Sequence, residues 1–157
     1  MMEGSVLEFV KWFLGMMILS AIITFGVFMF RLNEVNSFQQ EVNYQIERHG
    51  GLTPTAMKKL NEQAKLSYGG CLLKSNDDDK TCYDPADKGG PSSGFAVREF
   101  KVTGTTKQYY TRGDTEKARY GDQVNYVITR SIGNIQDVSF LKPATIGSAG
   151  SRVRGNN

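Results

Sequence analysis

Hydrophobic and polar positions change their rhythm three times along this chain. The longest apolar run, Trp12 to Phe30 (WFLGMMILSAIITFGVFMF), contains no charge. At ~1.5 Å of rise per residue, a helix of this length covers the ~30 Å hydrocarbon layer of a bilayer. Its residues are apolar around the whole circumference, and a chain this small has few residues left with which to bury such a helix in a soluble core. A cleaved secretory signal is the competing reading, but its apolar region usually runs about 7–15 residues and closes on small side chains. Here the run closes on Val27-Phe28-Met29-Phe30-Arg31, so the pattern predicts a retained single span.

After Arg31 the apolar positions thin out to Leu32, Val35, Phe38, Val42 and Ile46, at steps of three and four, with Asn, Gln and Glu between them. That is one helical stripe, so the helix continues past the span and becomes amphipathic. Gly50-Gly51 should end it, because paired glycines are poor helix formers and good C-terminal caps. Thr53-Pro54 then reads as an N-cap and first helical position, and Met57, Leu60 and Ala64 give a second, shorter stripe before Ser67-Tyr68-Gly69-Gly70.

From Lys74 to Gly94 the chain is dense in Asp, Gly, Ser and Pro and reads as a surface loop. Beyond it, Phe95–Thr103, Gln123–Ser131 and Asn134–Leu141 suit strands, with a short fourth at Thr105–Tyr110 and a hairpin turn at Ser131-Ile132-Gly133-Asn134. The Gly/Ser/Arg/Asn stretch from Gly147 onward reads as a flexible tail. The expected organisation is therefore α+β. An N-terminal segment 1–30 carries the span, 31–70 is helical, 71–94 is a Cys-bearing polar loop, 95–146 holds a small antiparallel sheet, and 147–157 is the tail.

With 157 residues and 22% charged side chains, the chain has room for one small domain beside the span. The formal net charge is +3. Lys11 against Glu3 and Glu8 leaves residues 1–30 at −1 and the rest at +4, far below a dedicated nucleic-acid binder. Lys11 and Arg31 flank the span almost evenly, so charge alone does not orient it.

Cys71 and Cys82 bound the segment CLLKSNDDDKTC. A disulfide between them would close a ring where the chain has least core, worth ~2–3 kcal/mol in loop entropy, and would suit an oxidising exterior. Two unpaired thiols are the other reading, and the disulfide is the favoured one. It places residues 31–157 outside the cell, extracellular or periplasmic. Metal binding is disfavoured, with His49 the single histidine and no CxxC present.

Asp77, Asp78, Asp79, Asp84 and Asp87 lack the ligand alternation, central Gly and terminal Glu of a calcium loop, and read as a solvated acidic segment. Arg112-Gly113-Asp114 is a tripeptide that integrins can read, though Gly-Asp more simply marks a turn. Arg98, Lys101, Lys107, Arg112, Lys117 and Arg119, with Tyr109 and Tyr110 nearby, could hold single-stranded nucleic acid weakly by charge and stacking. The favoured alternative is a solvated mixed-charge face, since Glu99, Asp114 and Glu116 are interspersed. HExxH and the phosphate loop GxxxxGK[ST] are absent, and a Ser–His or Cys–His device would have to use His49 beside Gly50-Gly51 at a helix end, so the sequence points to no catalytic residues, no cofactor and no small-molecule substrate.

The most specific stretch is Gly4-Ser5-Val6-Leu7-Glu8-Phe9, followed at once by a long apolar helix that turns amphipathic. It resembles the start of bacterial type IV-like pilins, in particular the TadE-like pseudopilins of tight-adherence systems. In that family a prepilin peptidase cuts after a leader-ending Gly, and an acidic-aromatic pair opens the mature helix. The resemblance implies that Gly4 closes the leader, Ser5 becomes the new N-terminus, and Glu8-Phe9 is the pair used in assembly. Cutting there makes Glu8 the fourth mature residue, where the family usually has it fifth. The Gly-Gly break, the Cys-bearing loop and the Tyr120-Gly121-Asp122-Gln123-Val124 turn also look like TadE-type domains.

Physical chemistry independently asks for a partner for Glu8, because a carboxylate at the edge of a membrane helix is costly in lipid unless paired. In the pilin family a neighbouring subunit's free amino terminus fills that role. The plain alternative is Glu8 resting among headgroups near Lys11 at i+3. The expected function is thus a structural one: a minor pilin or pseudopilin of a type IV-like pilus or secretion apparatus, whose partners are other pilin-like subunits, membrane assembly machinery and lipid. The alternative is an uncleaved, single-pass anchored module that binds DNA or a surface ligand.

Overall fold

The computed structural model describes residues 2–74, 81–131 and 144–153. It divides into two compact units, Met1–Glu34 and Val35–Asn157. Helix α1 spans Met2–His49, and its apolar part is long and hydrophobic enough to cross a membrane, with none of that window buried inside the protein.

Within the second unit, the predicted stripe is the buried face of α1: Val35, Phe38, Val42 and Ile46 are fully inaccessible. The helix stops where the glycines predict. The Gly50 and Gly51 amides both donate to the Ile46 carbonyl, at 2.8 and 3.2 Å, and Gly50 takes the left-handed conformation that ends a helix (φ 74°). Helix α2 spans Pro54–Tyr68. Thr53 caps it by accepting the Ala56 amide at 3.3 Å, and Met57, Leu60 and Ala64 are its buried stripe.

The sheet has five strands, β1 (Cys71–Leu73), β2 (Ser92–Thr103), β3 (Thr106–Tyr110), β4 (Gln123–Arg130) and β5 (Ala144–Gly150), in the order β1-β2-β4-β5, with β3 pairing β2. The expected sheet was antiparallel throughout. It is mixed, because β1 runs parallel to β2 while the other three pairings are antiparallel. Strand alternation puts Phe95 and Val97 of β2, and Val124, Tyr126 and Ile128 of β4, into one core with both helices. Phe38 stacks on Phe95 at 4.4 Å between centroids, and Tyr68 meets both rings edge-on.

Three expected boundaries are corrected, the first being the end of the polar loop, because Ser92-Ser93-Gly94 already belongs to β2. Cys71-Leu72-Leu73 is a buried strand rather than the start of a polar loop. Three apolar residues are too few to show alternation, and what fixes them is a distant partner, since Cys71 pairs with Ser92 and Leu73 with Ala96. The stretch expected to begin a flexible tail at Gly147 is the second half of β5, zipped to β4 from Gln123↔Gly150 to Thr129↔Ala144. Its small residues are a fit to a large neighbour: a Cβ at Gly147 would collide with the Tyr126 hydroxyl. That hydroxyl bonds Asn43 on α1. Beyond β5, Ser151 is buried and the Arg152 amide donates to the Glu47 carbonyl at 3.0 Å. The strand expected at Asn134–Leu141 and the turn before it, from Ile132 on, lie outside the described residues.

Candidate functional site

Burial sorts the candidate residues into two groups, one on each unit. On the first unit, Gly4 and Ser5 lie in the first turn of α1, and Glu8 and Phe9 follow on the same helix, all exposed. Phe9 is 72% accessible and Trp12 74%, so the acidic-aromatic pair opens onto an uncovered apolar surface. Among the described residues no ion pair joins Glu8 to Lys11 or to any other side chain.

On the second unit the predicted disulfide is present: Cys71 and Cys82 are bonded, with Cα atoms 5.6 Å apart. Backbone hydrogen bonds bracket it, from the Lys74 amide to the Thr81 carbonyl (3.0 Å) and from the Tyr83 amide to the Leu72 carbonyl (2.7 Å), so the bond staples a returning segment onto β1. Among the described residues no group of three His, Cys, Asp or Glu side chains could hold a metal ion. Asp84 instead caps the short 3₁₀ turn Pro85–Asp87 by accepting the Ala86 amide. Asp87 accepts from Lys65 at 2.6 Å and from Asn61 at 2.9 Å, and these bonds hold its carboxyl below the ordinary range. Asp77, Asp78 and Asp79 lie outside the described residues.

The centre of charge on this unit is a residue the sequence analysis did not single out. Glu99 is 2% exposed, facing inward with Phe95 and Val97. Its carboxylate accepts four groups: the Leu52 amide (2.9 Å), the Tyr110 hydroxyl (2.6 Å), and Nε and Nη2 of Arg112 (3.0 and 2.7 Å). A buried carboxylate is tolerable only when hydrogen-bonded and paired in this way. Its bond to Glu99 raises Arg112 above even the usual guanidinium value, while burial and then the Glu99 hydrogen bond push the Tyr110 phenol up to about 12. The signal was legible in principle: alternation through Phe95-Ala96-Val97-Arg98-Glu99 puts an acid on the core face, and such an acid requires a cation.

The same network disposes of the adhesion reading of Arg112-Gly113-Asp114. The Arg112 guanidinium is committed to Glu99, to the Tyr110 hydroxyl (2.8 Å) and, through Nη1, to the Glu116 carbonyl (2.7 Å). Asp114 accepts the amide and hydroxyl of Thr55. Both charges that a receptor would read are internally bonded.

The six-residue basic set separates. Arg98 lies over the Tyr109 ring at 5.6 Å and Lys107 over Phe100 at 5.3 Å, cations laid on aromatic neighbours of the same sheet. The other four, Lys101, Arg112, Lys117 and Arg119, converge on one concavity of about 450 Å³ that Tyr110 and Asp122 also line. The loop between β3 and β4 that carries three of them is fastened at several points. The Ala118 amide donates to the Gly50 carbonyl (2.8 Å), the Ser151 hydroxyl donates to the Ala118 carbonyl (2.9 Å), and the Ser151 amide donates to the Asp122 carbonyl (2.9 Å).

No family model matches the chain, and no solved structure matches it. Over 77 residues it is 40% identical to the uncharacterized protein pXO2-21 of Bacillus anthracis. That match covers 49% of this chain and 64% of the length of the relative.

Proposed function

We propose that this protein is a structural subunit, a minor pilin or pseudopilin, of a type IV-like pilus or related secretion apparatus. It would assemble through its N-terminal apolar helix and present residues 31–157 outside the cell. The observation that carries the reading is the exposure of every large apolar side chain from Val6 to Phe30, with Glu8 in their midst and in no ion pair among the described residues. Such a surface demands lipid or the helices of other subunits, and a carboxylate at its edge demands a countercharge. Support also comes from the disulfide, which suits an oxidising exterior, and from the resemblance of Gly4 to Phe9 to the pilin processing site.

Glu8→Gln tests it, because the change keeps the shape and removes the charge. The variant should reach the membrane at normal levels, with its disulfide formed, and enter assemblies or retain partners about a hundredfold less well or worse, since breaking one buried charge pair costs about 3–5 kcal/mol and each 1.4 kcal/mol is about tenfold. Unimpaired assembly would favour the second reading, an uncleaved anchored binding module, which the basic concavity on the second unit recommends. Intact-mass measurement of the native protein adds an independent check. Loss of Met1 to Gly4 is expected, whereas loss of the whole apolar run would make that run a signal sequence.

A further inference from the structure

We infer that the concavity beside the loop between β3 and β4 is a binding site for a phosphate group. The inference stands under either reading of the chain's function. Lys101, Lys117 and Arg119 reach it from two elements, and no carboxylate side chain pairs with any of the three among the described residues. Arg112 adds a fourth positive charge, which the Glu99 beneath it cancels. Asp122 cancels one more, although its carboxylate is turned to the Arg119 amide, which it accepts at 3.2 Å. Two positive charges remain uncompensated around one depression.

That excess matches a dianion rather than a carboxylate. The Arg112 fork has its donors used by Glu99, Tyr110 and Glu116, so the guanidinium left for a ligand is that of Arg119, which grips phosphate as well as carboxylate, and the excess of two charges decides for the dianion. The ammonium groups of Lys101 and Lys117 are point charges with rotatable donors, suited to the spread oxygens of a phosphate. Gln123 and Asn125, at the start of β4, line the same space and supply neutral amide donors. The site is also prepared before a ligand arrives. Lys101 rests over the Tyr110 ring at 4.9 Å, Tyr110 is fixed by Glu99, and the loop that bears Lys117 and Arg119 is tied to Gly50 and Ser151. Cations held apart in this way repel one another, and a bound dianion relieves that repulsion.

The phosphate can belong to a soluble molecule or to a lipid headgroup, and the test separates the two. The full chain is reconstituted in phosphatidylcholine nanodiscs, and its backbone amide resonances are followed during titration with inorganic phosphate. Resonances of residues 117–123 should move and saturate. Lys117→Gln with Arg119→Gln should raise the half-saturating concentration about fivefold or more, the scale of losing charged hydrogen bonds at a partly exposed site. Lys58→Gln with Lys59→Gln, which removes the same charge from exposed positions of α2, should change it less than twofold. If the loop pair disturbs the fold, Lys101→Gln, on β2, serves in its place. In discs containing phosphatidic acid and no added phosphate, movement of the same resonances assigns the headgroup as the source, and stationary resonances assign a soluble phosphate. Absence of saturable movement with both probes, or equal weakening by the α2 pair, overturns the site.

Discussion

From Val6 to Phe30, α1 turns its large side chains outward, with Trp12 at 74% and Phe13 at 63% exposure, whereas from Val35 on the same kinds of side chain are sealed at 0%. The composition differs less than this contrast suggests, since both stretches carry Phe, Val and Ile. What differs is spacing. Apolar residues at every position leave no polar face to meet water, so such a helix needs an apolar medium or partners on all sides. Apolar residues at steps of three and four leave a polar back, and one sheet face is enough to cover the front. The comparison teaches that the demand for an external partner is written in periodicity, and that residue type alone does not reveal it.

The sharpest way to break this comparison is to truncate the same side chain in both units of the full chain, in detergent micelles. Phe38→Ala removes a ring stacked on Phe95 and met edge-on by Tyr68, and should destabilise the second unit by about 3–5 kcal/mol in urea unfolding followed by near-ultraviolet dichroism. Phe25→Ala should leave that transition unmoved. Equal loss from both would mean that the units do not fold separately.

Next in size is Glu99→Gln, which leaves Arg112 only 12% exposed and without a countercharge. A loss of about 2–4 kcal/mol is expected, below the limit for a fully buried pair because one side of the guanidinium reaches solvent. Reverting most of the loss with Arg112→Met in the same chain would show that the cost lies in the orphaned charge. Removing the Cys71–Cys82 bond by a double Cys→Ser change should cost about 2–3 kcal/mol and leave the Phe38 contribution intact, since the bond closes a loop outside the helix stripe.

The smallest effect is a pH dependence. Tyr110 keeps its proton in the folded state up to about 12, above its ordinary value near 10. The stabilisation is therefore complete below pH 10 and is lost as pH rises from 10 toward 12. Tyr110→Phe should flatten part of that alkaline decline while leaving the acid limb unchanged. The acid limb belongs to groups such as Asp87, whose lowered value makes its bonds to Lys65 and Asn61 fail as pH drops through the carboxyl range.

What was legible in the sequence was local. The Thr53 cap, the Gly50-Gly51 stop and both helix stripes depend on residues within a turn or two of one another, and they stand where the pattern puts them. The strands expected at Phe95–Thr103 and Gln123–Ser131 coincide with β2 and β4 apart from their ends, since β2 begins three residues earlier, at Ser92, and β4 closes at Arg130. The features that escaped depend on distant partners. Leu72 and Leu73 become a strand because β2 begins 20 residues later, and Ala144–Gly150 becomes one because Tyr126 leaves room only for a glycine. The candidate site was half legible: its cations were visible as a set, but the sequence did not show that Glu99 withdraws Arg112 from it, nor that Arg98 and Lys107 lie on rings elsewhere.

The position of β5 has a consequence for how this chain is made. Tyr126 and Val124, in the middle of the core, have a free strand edge until Gly147 and Ala149 arrive beside them. The second unit therefore cannot close while the ribosome is still synthesising residue 150, by which time α1 has long emerged and its apolar run has been available for capture by a membrane. The apolar run is thus complete more than a hundred residues of synthesis before the last strand of the second unit exists.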